Sequence, residues 1–114
     1  MSIKLNGFNS KVVTFKASGD IVLGTPVRPS SNYTVSPCPA SSPFVGVAVS
    51  LSNGLVGVQT NGYFELPYSS STPSIGFARM AADGKGGLLL DSTNGRECAV
   101  VYVNTATKTV GILM

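Results

Sequence analysis

The sequence predicts an all-β fold: a small single-domain β-barrel or β-sandwich of about eight or nine short strands. Three observations predict it. Charged residues are only 11% of the 114, while Gly, Ser, Thr and Asn exceed a third of the chain, so the Glu/Lys/Ala/Leu-rich faces that build exposed helices are missing. β-branched and aromatic residues recur in short alternating runs, the pattern of half-buried strands. Gly, Pro and Asn-Gly punctuate those runs at close intervals. Disorder is excluded, because it requires low hydrophobicity with high net charge, and this chain is 43% hydrophobic with a net charge of +3.

The elements follow in order. Residues 1–11 read as a flexible, basic N-terminal arm without a core-like pattern, and 12–114 as the β domain. Taken alone, such an arm is either a frayed terminus or a tether that orders on a partner. The run Lys11 to Ala17 is β-branched and aromatic, and Ser18-Gly19-Asp20 closes it as a turn. Ile21-Val22-Leu23 reads as a further strand, with Pro26 marking an edge or bend. Residues 29–43 hold Pro29, Pro37, Pro39 and Pro43 among serines, which predicts a loop with at most a short strand at Tyr33-Thr34-Val35.

Phe44 to Leu51 and Leu55 to Thr60 alternate on either side of Asn53-Gly54. Asn-Gly between two such runs is a strong hairpin signal, because both residues tolerate positive φ. Asn61-Gly62 turns again into Tyr63-Phe64-Glu65-Leu66. Pro67 to Ser74 is a surface loop. Ile75 to Met80 and Leu88 to Leu90 are strands, separated by Asp83-Gly84 and Gly86-Gly87. Arg96 to Val110 is the longest stretch without Gly or Pro. Its Val and Thr residues argue against a helix, so it divides into two strands around Asn104-Thr105-Ala106. The chain closes on the apolar strand Val110 to Met114. A faint internal echo runs through these strands. Leu23 to Val27, Phe44 to Val49 and Val56-Gly57-Val58 are matched by Ile75 to Arg79, Glu97 to Tyr102 and Val110-Gly111-Ile112.

The composition leaves little room for chemistry. With no His, a Ser–His or Cys–His nucleophile cannot be assembled. The five acids are scattered, and three of them flank Gly turns. Asp83-Gly84-Lys85-Gly86-Gly87 lacks the spacing of a phosphate loop and reads as a β-turn. Cys38 and Cys98 have neither zinc spacing nor a disulfide framework, and Cys98 reads as a buried thiol. No cofactor, metal or catalytic residue is expected, and the chain reads as not an enzyme. Eight bases against five acids are poor material for nucleic-acid binding. The N-terminus lacks a signal-peptide core, and no apolar run is long enough for a membrane helix. The expectation is therefore a leaderless protein made in a cytosol, with no nucleic-acid or membrane partner. Tyr63, Phe64 and Tyr68 could supply stacking aromatics for a sugar, although core packing explains them more simply.

Charge is also unevenly placed. Residues 1–28 carry Lys4, Lys11, Lys16 and Arg28 against Asp20, the remainder is balanced, and Pro29 to Phe64 holds no charge. So neutral a surface is either simply tolerated by a small β-protein or reflects burial against partners.

Two segments resemble the small β-rich decoration (cement) proteins of tailed-bacteriophage heads. The first is Lys16 to Val27. The second is Phe44-Val45-Gly46-Val47-Ala48 followed by Gly54-Leu55-Val56-Gly57-Val58-Gln59-Thr60-Asn61-Gly62, and Ile75 to Ala78 and Arg96 to Val103 look like the second half of the same plan. The likeness covers residues 12–112 and rests on glycines and valines. It implies a structural virion protein on the capsid outer surface that binds across junctions of the major capsid protein and stabilises the shell. It also implies a homo-oligomer, commonly a trimer. An arm contact through Ile3, Lys4, Leu5, Phe8 and Lys11 is the expectation at the N-terminus, where the match is poorest. The alternative is a small non-catalytic module recognising sugar or peptide on a virion or cell surface.

Overall fold

The computed structural model describes residues 11–114. Ile3, Lys4, Leu5 and Phe8, the other four arm residues named above, lie outside the described residues. Lys11 lies within the first strand and not in an arm. The described residues form eleven strands and no helix: β1 Lys11–Ala17, β2 Pro26–Ser31, β3 Thr34–Pro37, β4 Ala40–Ser42, β5 Gly46–Ser52, β6 Leu55–Asn61, β7 Tyr63–Pro67, β8 Gly76–Asp83, β9 Leu88–Leu90, β10 Arg96–Asn104 and β11 Thr109–Leu113. The all-β class is as the composition predicts.

These strands make a closed barrel and a curled sheet. The barrel runs β1-β3-β2-β5-β6 and returns to β1. The second sheet runs β4-β8-β10-β11-β7, with β9 on the other side of β8. Its two margins meet where Tyr68 bridges Leu88 in parallel, and the Ser69 amide donates to the Leu88 carbonyl at 2.8 Å. The sheet is thus a second barrel, pinned shut by one bridge.

The two halves repeat each other strand for strand. β1, β2, β3, β5 and β6 correspond to β7, β8, β9, β10 and β11, and every pairing keeps its partner and its sense. β1 lies parallel to β3 as Tyr68 lies parallel to Leu88. The remaining seams are antiparallel in both halves. A β-bulge fixes the alignment. It falls between Ala48 and Ser50 on β5 and between Val100 and Tyr102 on β10, opposite Val58 and Ile112 respectively. Closing bonds repeat as well: Ala17 donates to Gly54 at 2.9 Å and Tyr68 to Lys108 at 3.0 Å, while Ser18 donates to Val35 at 2.9 Å where Ser69 donates to Leu88. Gly57 and Gly111 occupy the same place, each beneath a side chain of a neighbouring strand, Ser50 in one half and Tyr63 in the other. The echo in the sequence is therefore a structural duplication. Two corrections apply: the counterpart of Phe44 to Val49 is Arg96 to Val101, one residue earlier than the sequence pattern suggests, and the β2–β3 and β8–β9 registers make Met80, not Arg79, the counterpart of Val27.

The halves differ at one seam. Val27 pairs with Gly46, but its counterpart Met80 pairs with Arg96, a slide of two residues. Beyond that seam β8 continues to Asp83 and accepts β4 along Ala82 and Asp83. The corresponding margin of β2 carries Pro29. Val27 turns its carbonyl to Val45 on the β5 side at 2.9 Å, so Pro29, two residues on, directs its donorless nitrogen to the same open side. One half covers its edge with a strand and the other blunts it with proline.

The same geometry explains why residues 29–43 are three strand segments where the sequence suggests a loop. Val27↔Pro37 and Pro29↔Val35 are the non-hydrogen-bonded pairs of the β2–β3 ladder, so neither proline deprives it of a bond. Ile21-Val22-Leu23, read as a strand, is instead a plug. Ile21 is buried in the barrel, and the Val22 carbonyl accepts from the Thr25 amide and hydroxyl in a turn.

Each barrel has its own core. Ile21, Val27, Val35, Ala48, Val56 and Val58 fill the first. The second holds Phe64, Leu66, Tyr68, Met80, Leu88, Cys98, Val100, Val110 and Ile112, and it also takes Phe44 and Val47 from the first half. Full burial of each such aliphatic side chain is worth about 1.5–3 kcal/mol. Phe44 and Val47 thereby join the two barrels.

Candidate functional site

The residues singled out from the sequence do not converge. Phe64 and Tyr68 are buried in the second core. Tyr63 lies on the opposite face of β7, half-buried, and its hydroxyl donates to Glu65 Oε2 at 2.8 Å. Alternation along the strand separates Tyr63 from Phe64, so the three aromatics form no stacking platform. Lys11 is exposed and pairs with Asn61 at the head of β1.

The polar groups are engaged in building loops. Asp83 Oδ1 accepts from the amides of Lys85 at 2.7 Å and Gly87 at 2.9 Å, and Oδ2 accepts from Ser69 Oγ at 2.6 Å. Burial works to raise its pKa. The Ser69 hydroxyl, the two amides and the nearby Lys85 charge outweigh that and hold the carboxyl below its ordinary value. The glycine-rich segment after Asp83 is thus a carboxylate-tied turn, with Gly84 and Gly86 at positive φ. Asp91 likewise accepts from the amides of Thr93 and Asn94, both at 2.9 Å. Burial raises the pKa of both Cys38 and Cys98, which disfavours the reactive thiolate.

An open cleft of about 290 Å³ lies between the halves, lined in part by Asp20, Thr25, Cys38 and Lys85. Among the described residues no three His, Cys, Asp or Glu side chains gather as metal ligands, and no buried side-chain nitrogen or oxygen lacks a hydrogen-bond partner. No helix among them is long and apolar enough to cross a membrane.

What the surface offers is apolar contact. Among the described residues thirteen large hydrophobic side chains are exposed, led by Tyr33 and by Phe77 at 81%. Tyr33 sits in the turn between β2 and β3 with φ of 55°, a left-handed backbone that an aromatic residue seldom adopts. Phe77 stands on β8 opposite Ala99 of β10, with Ile75, Val101 and Tyr102 exposed on the adjoining residues of the two strands. Strand periodicity hid this patch, because Ile75 to Met80 reads as an ordinary half-buried strand. The signal available in the sequence was the pair Ile75 and Phe77 on either side of a glycine. No protein-family model and no curated protein matches the chain.

Proposed function

We propose that this protein is a structural virion protein that binds the outside of an assembled phage capsid. In this reading it sits across junctions between major capsid subunits and stabilises the shell. The exposed apolar surface carries the proposal. Both cores are complete without Ile75, Phe77, Val101 and Tyr102, so these side chains are not needed to fold the chain. Apolar groups left outside a finished fold mark an interaction surface. The scarcity of charge acts in the same direction, because charged side chains are depleted at interface cores. The likeness of the two glycine–valine segments to cement proteins supplies the identity of the partner, and the trimer belongs to the same proposal.

Purified protein is mixed with expanded heads assembled from the major capsid protein of the same genome, and separately with unassembled subunits. The proposal expects co-sedimentation with the heads and a trimer mass in solution. Absence of co-sedimentation overturns it.

A further inference from the structure

We infer that Asn53-Gly54, at the tip of the β5–β6 hairpin, is a site of spontaneous amide-to-isoaspartate modification in the folded protein, and that the fold protects the other Asn-Gly steps among the described residues. The inference is independent of what the protein binds.

An Asn-Gly step is prone to lose ammonia, because glycine places no side chain over its own amide nitrogen. That nitrogen gives its proton to solvent base and attacks the Asn Cγ. A Cγ–N bond forms, the Cγ–Nδ2 bond breaks, and the side-chain nitrogen leaves as ammonia, which closes a cyclic imide. Water then adds to one of the two imide carbonyls. Opening at Cγ gives aspartate, and opening at the main-chain carbonyl gives isoaspartate, with the backbone rerouted through Cβ and Cγ. The sum is an asparagine plus water giving an acid plus ammonia, with no oxidation or reduction. The glycine amide must be free to reach the side chain, so any hydrogen bond it donates must first break.

Three Asn-Gly steps lie within the described residues: Asn53-Gly54, Asn61-Gly62 and Asn94-Gly95, each preceded by a hydroxyl residue, Ser52, Thr60 and Thr93. Asn6-Gly7 lies outside them. The three share their local chemistry and differ in structure. Gly62 is buried, its amide donates to the Met114 carbonyl at 3.1 Å, and its carbonyl accepts from the Met114 amide at 3.1 Å. Gly95 is also buried, and its amide donates to the Asp91 carbonyl at 2.9 Å, while Asp91 Oδ1 holds the Asn94 amide at 2.9 Å. Asn53 and Gly54 are both exposed. Ser52 pairs with Leu55, so Asn53 and Gly54 are the two central residues of the turn, at φ of 53° and 77°, a geometry that leaves their amides outside the strand ladder. Among the described residues nothing accepts a hydrogen bond from the Gly54 amide.

Conversion here changes both charge and geometry. It places a carboxylate in the run Pro29 to Phe64, which carries no charge. Isoaspartate also adds a backbone carbon to a loop whose length sets the register of β5 against β6. The Gly54 carbonyl accepts from the Ala17 amide at 2.9 Å, so the same change reaches the closing seam of the first barrel.

The test ages purified protein in mildly alkaline buffer, both native and in guanidinium chloride. Tandem mass spectrometry of proteolytic peptides follows conversion at Asn53, Asn61 and Asn94. In the native protein Asn53 is expected to convert about tenfold faster than either of the others, the factor that one retained hydrogen bond supplies. In denaturant the three are expected to convert at similar rates. Native rates at Asn61 or Asn94 that match Asn53 overturn the inference, as does an Asn53 that stays intact in the native protein while the denatured chain converts. A lead of the same size in denaturant also overturns it, since sequence and not fold then sets the order.

Discussion

The guanidinium carbon of Arg96 lies 5.8 Å from the centroid of the Phe44 ring, and Nη1 donates to the Phe44 carbonyl at 3.2 Å. The two residues hold the same position in the two halves, at the approach to β5 and at the start of β10, so the junction is made by counterparts that have become chemically different. Arg96 also reaches the Val45 carbonyl at 3.5 Å. It thereby satisfies carbonyls at the point where the chain passes from β4 to β5.

Removing either partner therefore loosens the junction between the barrels. Arg96→Ala is expected to lower unfolding free energy by about 1–3 kcal/mol, from the lost cation–π contact and charge-assisted hydrogen bond. Phe44→Ala is expected to cost about 3–5 kcal/mol, because it also opens a cavity in the second core. Urea denaturation of the two variants measures both values.

Two glycines of the first barrel separate steric need from conformational need. A Cβ at Gly46 would fall against the Gln59 carbonyl and the Val58 side chain, whereas one at Gly54 meets nothing within 4 Å. Gly46→Ala is expected to destabilise by about 2–3 kcal/mol through overpacking against backbone. Gly54→Ala is expected to cost only about 1 kcal/mol, for an L residue at φ of 77°. Equal losses in the two variants would contradict the close approach of β5 and β6.

The Asp83 carboxyl is held below its usual value in the folded protein. A depressed folded pKa adds stability above the unfolded value of 3.8, and that stability is lost as pH falls through the folded value. Asp83→Asn should therefore be less stable than wild type at pH 6, with the gap closing as both are titrated towards pH 2. Denaturation midpoints across that range give the result, and a gap independent of pH would remove the carboxylate from the account.

Tyr63 shows the opposite displacement. Burial, helped by the hydrogen bond to Glu65 and its charge, raises the Tyr63 phenol from 10.0 to about 12. A raised folded pKa stabilises the fold below pH 10 and loses that contribution as pH rises towards about 12. Ultraviolet titration of the phenolate should show one tyrosine ionising near 12. That component should be absent in Tyr63→Phe and shifted down in Glu65→Gln.

Local signals in the sequence carried much of the fold, and contacts between distant segments hid the rest. Asn53 and Gly54 both adopt positive φ, 53° and 77°, as an Asn-Gly hairpin requires, and the strands around it begin and end close to where alternation places them. Asn104 accepts from the amides of Ala106 and Thr107 at 3.0 and 3.2 Å, forming the predicted turn inside the long valine–threonine run. Of β2, β3 and β4 only the short strand near Tyr33-Thr34-Val35 and the edge at Pro26 were legible; the full extent of β2 and β3 was not, because their prolines are tolerated only in a pairing pattern set by neighbouring strands. Core packing, the simpler reading of the aromatic triple, holds for Phe64 and Tyr68, while Tyr63 turns outward because adjacent strand residues face opposite ways.

Cryo-electron microscopy of heads saturated with this protein tests the central claim most directly. The account predicts density outside the shell that spans a junction between neighbouring capsid subunits. Density confined to a single subunit, or bare heads at saturating protein, would contradict it.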